Sequence, residues 1–147
     1  MTHLTPYDNA IHRQGVIELW KATFSYGTPH NEPPLVIDKM LEVAGNFFFV
    51  ALDNTETEVI GTILAGYDGH RGWLYSVAVK ATHRASGIGT ALVRRAEEAL
   101  IERGCMKINL QIVGGNEAVT PFYESLGYVV EPRVSMGKRI PANVPTA

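Results

Sequence analysis

The stretch VAVKATHRASGIGTALVRRAEEAL, residues 77–100, decides the fold because it predicts a strand, a short loop with two glycines and a helix in direct succession. In the helical part, charged residues lie outside an apolar stripe, which consists of Leu92, Ala96, Ala99 and Leu100. Gly104 suits the left-handed residue that ends such a helix. A glycine-containing loop at a helix start is typical of phosphate binding, because free N–H groups and the helix dipole both favour an anion.

The flanking segments predict an α/β fold in which a mixed sheet carries helices on both faces. NFFFVAL (46–52) and EVIGTILAGY (58–67) predict an antiparallel hairpin with residues 53 and 54 at its tip, and WLYSVAV (73–79) and KINLQIV (107–113) predict two more strands. Helices are expected after Asp8, after Pro33 and over residues 121–127, and a last hairpin is expected between residues 128–130 and 133–140. With a short strand at the start, the order is β-α-α-β-β-β-α-β-α-β-β in a single domain, residues 1–147.

Two of these elements have predicted faces. The first helix is expected to bury its apolar positions, which are Ile11, Val16, Ile17, Leu19 and Trp20. Simple alternation along WLYSVAV places Trp73, Tyr75, Val77 and Val79 on one face and Leu74, Ser76 and Ala78 on the other.

Composition excludes several classes of function. The chain has 147 residues, a net charge of −2 and no long basic cluster, so neither nucleic acid nor an anionic membrane is an expected partner. Its single cysteine, Cys105, excludes an intrachain disulfide. No signal peptide or membrane-spanning run is visible. We therefore expect a cytoplasmic location.

Three kinds of phosphate site were compared with the glycine loop. A P-loop needs a Lys after its second glycine, but Thr90 and Ala91 follow Gly89. A dinucleotide fingerprint needs a third glycine, where this chain has Leu92, and an acid after the next strand. The remaining pattern is R-x-x-G-x-G, residues 84–89, whose main-chain N–H groups would converge on a pyrophosphate. A simple turn at Gly87 is the alternative.

Residues 76–100 resemble motif A of the Gcn5-related N-acetyltransferase (GNAT) superfamily. INLQIVGGNEAVTPFYESLGY (108–128) resembles the second signature of that superfamily, and the resemblance covers residues 46–140. The segments AGYDGHRG (65–72) and SMGKRI (135–140) also resemble the YpeA-like bacterial subgroup. The resemblance implies a GNAT fold, with a mostly antiparallel central sheet that splays between the motif A strand and the next strand.

The resemblance also implies acetyl-CoA as the co-substrate. Its pantetheine amides would bond main-chain groups of Val77, Ala78 and Val79, one of which would polarise the thioester carbonyl. Asn116 matches a family residue that contacts the pantetheine, and capping of the next helix is its alternative role. The histidines lack metal-site spacing, so no metal is expected. The pyrophosphate would lie on Arg84, Ala85, Ser86, Gly87, Ile88 and Gly89, with Thr90 adding a hydroxyl.

Tyr123 matches the family tyrosine that protonates the departing thiolate. A phenol with a pKa of about 10 stays protonated at neutral pH, although packing beside Phe122 is the alternative role. Pro121 cannot continue a helix that begins at Asn116, so Thr120 is the expected cap of a shorter helix.

The catalytic base is not assigned by the motifs. An alkylammonium acceptor with a pKa of about 10.4 must lose a proton, yet WLYSVAV contains no carboxylate. The candidates are His70, Asp68, Glu58, or a water chain ordered by Tyr75 and Ser76. Cys105 has no nearby His and is expected to be a small buried thiol.

The predicted function is acetyl-CoA-dependent N-acetylation, by direct transfer to a primary amine of an unidentified acceptor. A non-catalytic acyl-CoA-binding module and a nicotinamide binder are the alternatives. A homodimer is a family-level expectation, with residues 133–140 as one possible contact. The acceptor entrance is expected among aromatic residues, which are Trp20, Phe24, Tyr26, Tyr67, Trp73 and Tyr75.

Overall fold

A computed structural model describes residues 3–24 and 31–141 of the chain. The chain divides into two compact units, Met1–Gln111 and Ile112–Ala147. In the described residues, the first unit holds the sheet and three α-helices, and the second holds one short α-helix. Tyr26, predicted at the acceptor entrance, lies outside the described residues.

Within the described residues, the strands form one sheet in the order β1-β2-β3-β4-β5. The first three pairings are antiparallel, and the β4–β5 pairing is parallel. The β2–β3 turn is held by Asp53, whose carboxylate accepts the main-chain N–H groups of Thr57 (3.0 Å) and Glu58 (3.1 Å). The predicted mixed, mostly antiparallel sheet is therefore confirmed. The strands are β1 (His3–Pro6), β2 (Phe47–Leu52), β3 (Val59–Tyr67), β4 (Gly72–Val79) and β5 (Ile108–Leu110).

The helices cover both faces of this sheet. Helices α1 (Asn9–Thr23) and α2 (Pro33–Glu42) pack on one face, in a core that includes Leu64. Helix α3 (Ile88–Glu102) packs on the other face, where a Cβ on Gly61 would lie 2.9 Å from Leu92. Gly61 and Leu64 are three positions apart on β3, and residues an odd number apart on a strand point to opposite faces. Among the described residues, none of the helices has the length and apolar character that a membrane crossing requires.

A β-bulge in β4 changes the predicted faces of that strand. Thr62 pairs with Ala78 and Leu64 with Tyr75, so Ser76 and Val77 together stand opposite Ile63. Ser76 takes a φ of 52°, and such an extra residue interrupts the alternation of side chains. The simple alternation was therefore wrong beyond Tyr75. Ala78 joins Trp73 and Tyr75 on the α1–α2 face, and Leu74 lies on the α3 face.

The second unit departs from the prediction for the C-terminal segment. It contains the short helix α4 (Thr120–Ser125), and no described residue after Leu110 lies in a strand. The hairpin expected between residues 128–130 and 133–140 was therefore wrong. Every described residue after Gln111 is at least partly exposed, so no fully buried face supports a two-stranded ribbon, which is marginal by itself. The edge strand suggested as a dimer contact is absent for the same reason.

Candidate active site

The edge of β4 opens on the β5 side halfway along the strand. The β4–β5 pairing runs only from Gly72↔Ile108 to Leu74↔Leu110. Of the remaining residues, Tyr75, Ala78 and Val79 pair with β3 on one side, and Ser76 and Val77 form the bulge. No strand in the described part of the chain pairs with residues 75–79 on the other side. The predicted splay is confirmed, and the free main-chain groups of this segment are able to bond an extended ligand.

Alternation decides which main-chain groups face the opening. The Lys80 N–H donates to the Ile60 carbonyl of β3 at 2.8 Å. Because the N–H and C=O groups of successive residues point to opposite sides of a strand, and those of alternate residues to the same side, Ala78 points with Lys80 towards β3. The Val79 carbonyl points the other way and accepts a hydrogen bond from Arg84 Nε at 3.1 Å. Of the three predicted pantetheine-binding residues, Val77 and Val79 therefore face the opening.

The loop after β4 is short, exposed and strongly bent. A 3₁₀ turn, Ala81–His83, leads into Ala85 and Gly87, which have φ angles of 63° and 84°. The Ser86 hydroxyl donates to the His83 carbonyl, and Arg84 anchors the loop to β4 through the bond described above. A Cβ on Gly87 would meet nothing within 4 Å. The loop therefore has a fixed conformation with open space beside its glycine.

The N-terminus of α3 has no side-chain cap. Gly87 occupies the cap position without a side-chain hydrogen bond, and the first main-chain bond of the helix joins the Ala91 N–H to the Gly87 carbonyl at 3.0 Å. Neither Ser86 nor Thr90 caps the helix with its hydroxyl. The N–H groups of Ile88 and Gly89 thus start a helix whose dipole favours an anion.

The bulge of β4 is held by a buried hydrogen-bond chain. The indole Nε1–H of Trp20 donates to Thr62 Oγ1 at 2.8 Å, and Thr62 Oγ1 donates to the Ser76 carbonyl at 3.0 Å. Trp20 is 1% exposed and Thr62 is completely buried. Trp20 was expected to line the acceptor entrance, and this expectation was wrong because the side chain is buried. Thr62 was not singled out in the sequence, because nothing local marks its partners at positions 20 and 76.

A second polar cluster lies on the α1–α2 face beside Tyr75. The Tyr75 hydroxyl is 3.8 Å from Met40 Sδ, and Asn46 Nδ2 is 3.6 Å from the same sulfur. A Cβ on Gly66 would lie 2.9 Å from Asn46 Oδ1 and 3.1 Å from the Tyr75 hydroxyl. The missing side chain at position 66 thus leaves room for both polar groups. Burial raises the pKa of Tyr75 above its usual value of about 10.

Asp68 and His70 lie at the opposite end of β4. The Asp68 carboxylate accepts the main-chain N–H groups of Arg71 (2.7 Å) and His70 (2.8 Å), and these bonds hold the pKa of Asp68 below its usual range. From Gly72 to Val77 the strand covers about 17 Å at about 3.3 Å per residue. The structure therefore does not bring either side chain to the bulge, and Asp68 acts as a turn residue.

Glu58, another candidate base, is engaged at the outer end of the hairpin. Its carboxylate forms an ion pair with the Lys80 ammonium, and both side chains are well exposed. This pair ties the start of β3 to the end of β4. Among the groups considered as the base, only Tyr75 and Ser76 lie at the bulge.

Tyr123 and Asn116 belong to the second unit. Pro121 stands in the first turn of α4, as predicted. The expected cap was wrong: Val119 occupies the cap position without a side-chain hydrogen bond, and Thr120 is the first helical residue. The Tyr123 ring makes edge contacts with Phe122 at 4.9 Å and Tyr128 at 6.0 Å between centroids. Burial raises the pKa of Tyr123 above its usual value, so its hydroxyl holds its proton at neutral pH. The Asn116 side chain makes no capping hydrogen bond.

Cys105 is buried, as predicted, and its thiol donates to the Lys107 carbonyl at 3.2 Å. In the described residues, no group of three His, Cys, Asp or Glu side chains is placed to hold a metal ion.

Comparison with known families identifies this arrangement. The model of the acetyltransferase (GNAT) family matches residues 13–128. This chain belongs to the GNAT family. It is 42% identical over 126 residues to Acetyltransferase SG1711 of Sodalis glossinidius (strain morsitans), a match that covers 85% of this chain and 87% of the relative. It is 39% identical over 127 residues to Acetyltransferase ECA0875 of Pectobacterium atrosepticum, covering 86% and 88%.

The GNAT assignment makes this chain an N-acetyltransferase. Among solved structures, it resembles AAC(6')-Iy in complex with the bisubstrate analog CoA-S-monomethyl-acetylneamine, with a TM-score of 0.78 over 95% of this chain and 99% of that one. The identity is 16%, so this likeness shows the GNAT fold. Membership of the YpeA-like subgroup stays a prediction.

Proposed function

We propose that this GNAT enzyme takes the acetyl group from acetyl-CoA and transfers it directly to a primary amine within a ternary complex. The observation that carries the proposal is the open edge of β4 beside the uncapped N-terminus of α3. We also propose that residues 1–147 act as one functional domain, because the family match covers residues 13–128 and so includes part of each compact unit.

The loop of residues 84–89 has the features that a pyrophosphate requires. The N–H groups of Ile88 and Gly89 point out of the first turn of α3, and Thr90 follows with a hydroxyl. Open space beside Gly87 permits close approach of phosphate oxygens. Arg84 is exposed, and it uses its Nε on the Val79 carbonyl. Its terminal nitrogens would add positive charge at the mouth of the loop.

The open segment of β4 would hold the pantetheine and the thioester. Main-chain groups of Val77 and Val79 face the opening and would bond the amides of the arm. An N–H that meets the thioester oxygen strengthens its bond as negative charge develops there, which lowers the barrier to attack. Because Val77 belongs to the bulge and faces the opening, we assign this role to the Val77 N–H.

The acceptor would enter on the α1–α2 face, beside Tyr75 and Asn46. The Asn46 side-chain carbonyl oxygen is an acceptor for an N–H of the arriving ammonium. One ammonium proton passes to the Tyr75 hydroxyl oxygen while that hydroxyl releases its own proton to water, so the phenol stays neutral, as its raised pKa requires. The lone pair freed on the amine then forms the new C–N bond, the C–S bond breaks, and the second N–H proton leaves to solvent by the same route.

For the departing thiolate we propose Tyr123 as the acid. Its hydroxyl would give a proton to the sulfur and recover one from water. The raised pKa of Tyr123 keeps this proton in place at neutral pH. The assignment rests on the family motif and on this protonation state.

The first test is the melting temperature with acetyl-CoA, with CoA, and with NAD and ATP as controls. A ligand at 100 times its Kd adds about 2.7 kcal/mol of stability, which raises Tm by several degrees for a chain of this size. We expect a shift with acetyl-CoA and CoA and none with NAD. A larger shift with NAD would refute the assignment of the loop.

The second test is release of free CoA thiol from acetyl-CoA across a panel of primary amines. We expect at least one amine to give turnover. Tight acetyl-CoA binding with no turnover on any amine would favour the alternative, a module that binds acyl-CoA without reacting.

A further inference from the structure

We propose that Thr62 and Trp20 are positioning residues for acetyl transfer, because their hydrogen-bond chain aims the Val77 N–H at the thioester carbonyl. This inference rests on the proposed function. Neither side chain reaches the opening of β4, and both act through the Ser76 carbonyl at the bulge.

The direction of the chain is fixed by its chemistry. An indole N–H donates and cannot accept, so the 2.8 Å contact uses a lone pair of the Thr62 hydroxyl. The single hydroxyl proton of Thr62 is then free to point at the Ser76 carbonyl, 3.0 Å away. Burial of both side chains excludes competing water. The carbonyl that the bulge removes from the strand ladder therefore has a defined donor.

The link to the reaction is the peptide plane between Ser76 and Val77. The Ser76 C=O and the Val77 N–H belong to one planar trans peptide, so they point in opposite directions. A bond that draws the carbonyl towards Thr62 turns the Val77 N–H away from Thr62, towards the opening of β4. A hydrogen-bonded carbonyl also makes the N–H of its own peptide a stronger donor, because linked hydrogen bonds polarise one another.

The backbone at this point needs such support. Ser76 has a φ of 52°, in the left-handed region that residues with a Cβ rarely adopt. Without the Thr62 hydroxyl, the peptide is free to rotate towards an ordinary strand conformation, and the Val77 N–H would turn with it. A purely structural role for Thr62 predicts lost stability only. A positioning role also predicts weaker polarisation of the thioester carbonyl of bound acetyl-CoA.

The test is isotope-edited infrared spectroscopy of acetyl-CoA labelled with ¹³C at the thioester carbonyl. In the wild type, we expect the bound carbonyl band to lie at lower wavenumber than that of free acetyl-CoA, because the Val77 N–H bonds its oxygen. Thr62→Val should lose most of this displacement, Thr62→Ser should keep it, and Trp20→Phe should reduce it. Thr62→Ala removes the same hydroxyl and carries the comparison if Thr62→Val does not fold.

Thr23→Val is the matched control. The Thr23 hydroxyl donates to a main-chain carbonyl, that of Leu19, at 2.8 Å, so this variant loses a bond of the same kind within α1. It should keep the full band displacement. With an acceptor from the amine panel, Thr62→Val should lower kcat roughly tenfold and change the KM for acetyl-CoA by less than about twofold, since only part of one oxyanion donor is lost.

The two proposals fail in different ways. No binding of acetyl-CoA by the wild type would overturn the proposed function and this inference with it. Binding with a displaced band that Thr62→Val and Thr62→Ala leave unchanged would overturn this inference alone. Failure of Thr62→Ser to restore the band would also overturn it, because the hydroxyl would then not be the operative group.

Discussion

Replacement of Gly87 by Ala separates the loop's conformational cost from its binding role. Gly87 has a φ of 84°, and a Cβ there would meet nothing within 4 Å. The left-handed conformation costs a residue with a Cβ about 1–2 kcal/mol. The unfolded chain of the Ala variant has less conformational entropy to lose on folding, which offsets about 0.4–1 kcal/mol of this cost. We expect a net loss of about 1 kcal/mol in the free energy of unfolding, which lowers Tm by about 2–4 °C.

The same change should weaken acetyl-CoA binding much more than it weakens folding. If the new methyl group or a rotated peptide removes one N–H bond to a charged phosphate, the loss is about 1.5–3 kcal/mol. The Kd would then rise by roughly ten- to a hundredfold. Urea unfolding gives the stability, and titration calorimetry with acetyl-CoA gives the Kd.

Gly69→Ala provides the matched control. Gly69 has a φ of 88° and the same open space, but it lies in the β3–β4 turn. Its variant should lose similar stability and keep the wild-type Kd. Equal Kd values for the two variants would show that the phosphates do not lie on this loop, and unchanged stability of both would refute the conformational argument.

Three further predictions concern single side chains. Tyr123→Phe should lower kcat roughly a hundredfold with an acceptor from the amine panel, and it should abolish the wild-type decline in kcat as pH rises through the raised pKa above about 10; an unchanged pH profile would count against the acid role. Asp68→Ala should lower Tm at pH 7 and keep the Kd for acetyl-CoA. Because the folded pKa of Asp68 is lowered, its contribution is lost as pH falls through that value, so the variant's Tm should fall less than the wild type's below about pH 4; parallel curves would contradict this. Gly72→Ala should destabilise by about 1–3 kcal/mol in urea, since its Cβ would lie 2.9 Å from both Cys105 Sγ and Leu100 Cδ1; wild-type stability would show that α3 yields easily.

The β2–β3 hairpin, the α3 loop and the α3 stripe could be predicted because their signals are local. The Asp53 turn, the R-x-x-G-x-G loop and the α3 stripe each lie within a few residues, and the structure has them where they were expected. The first helix shows how spacing alone misleads. Ile11 fits the apolar spacing but is 74% exposed, whereas His12 is buried and accepts the Asp8 N–H on its Nδ1.

The bulge could not be predicted, because its cause is not local. WLYSVAV alternates like a regular strand, but the hydroxyl that bonds the Ser76 carbonyl belongs to Thr62 on β3. That hydroxyl in turn accepts the indole N–H of Trp20 in α1, 42 residues before Thr62. The catalytic base could not be chosen from the sequence either, because the choice depends on distances in the folded chain. Asp68 and His70 have suitable chemistry, but only the length of β4 shows how far they lie from the bulge.

The opening between β4 and β5 lies inside the sheet, so its free amides are shielded from the edge-to-edge association that threatens outer strands. Hydrogen exchange at the opening should also report whether a ligand is bound. Among the residues that the structure describes, no strand pairs with the amide hydrogens of Val77 and Val79 on the open side, and these hydrogens should exchange rapidly with deuterated water until a ligand bonds them. Slowed exchange at these two amides would measure the fraction of enzyme molecules with a ligand bound along β4, without turnover and before any acceptor is known.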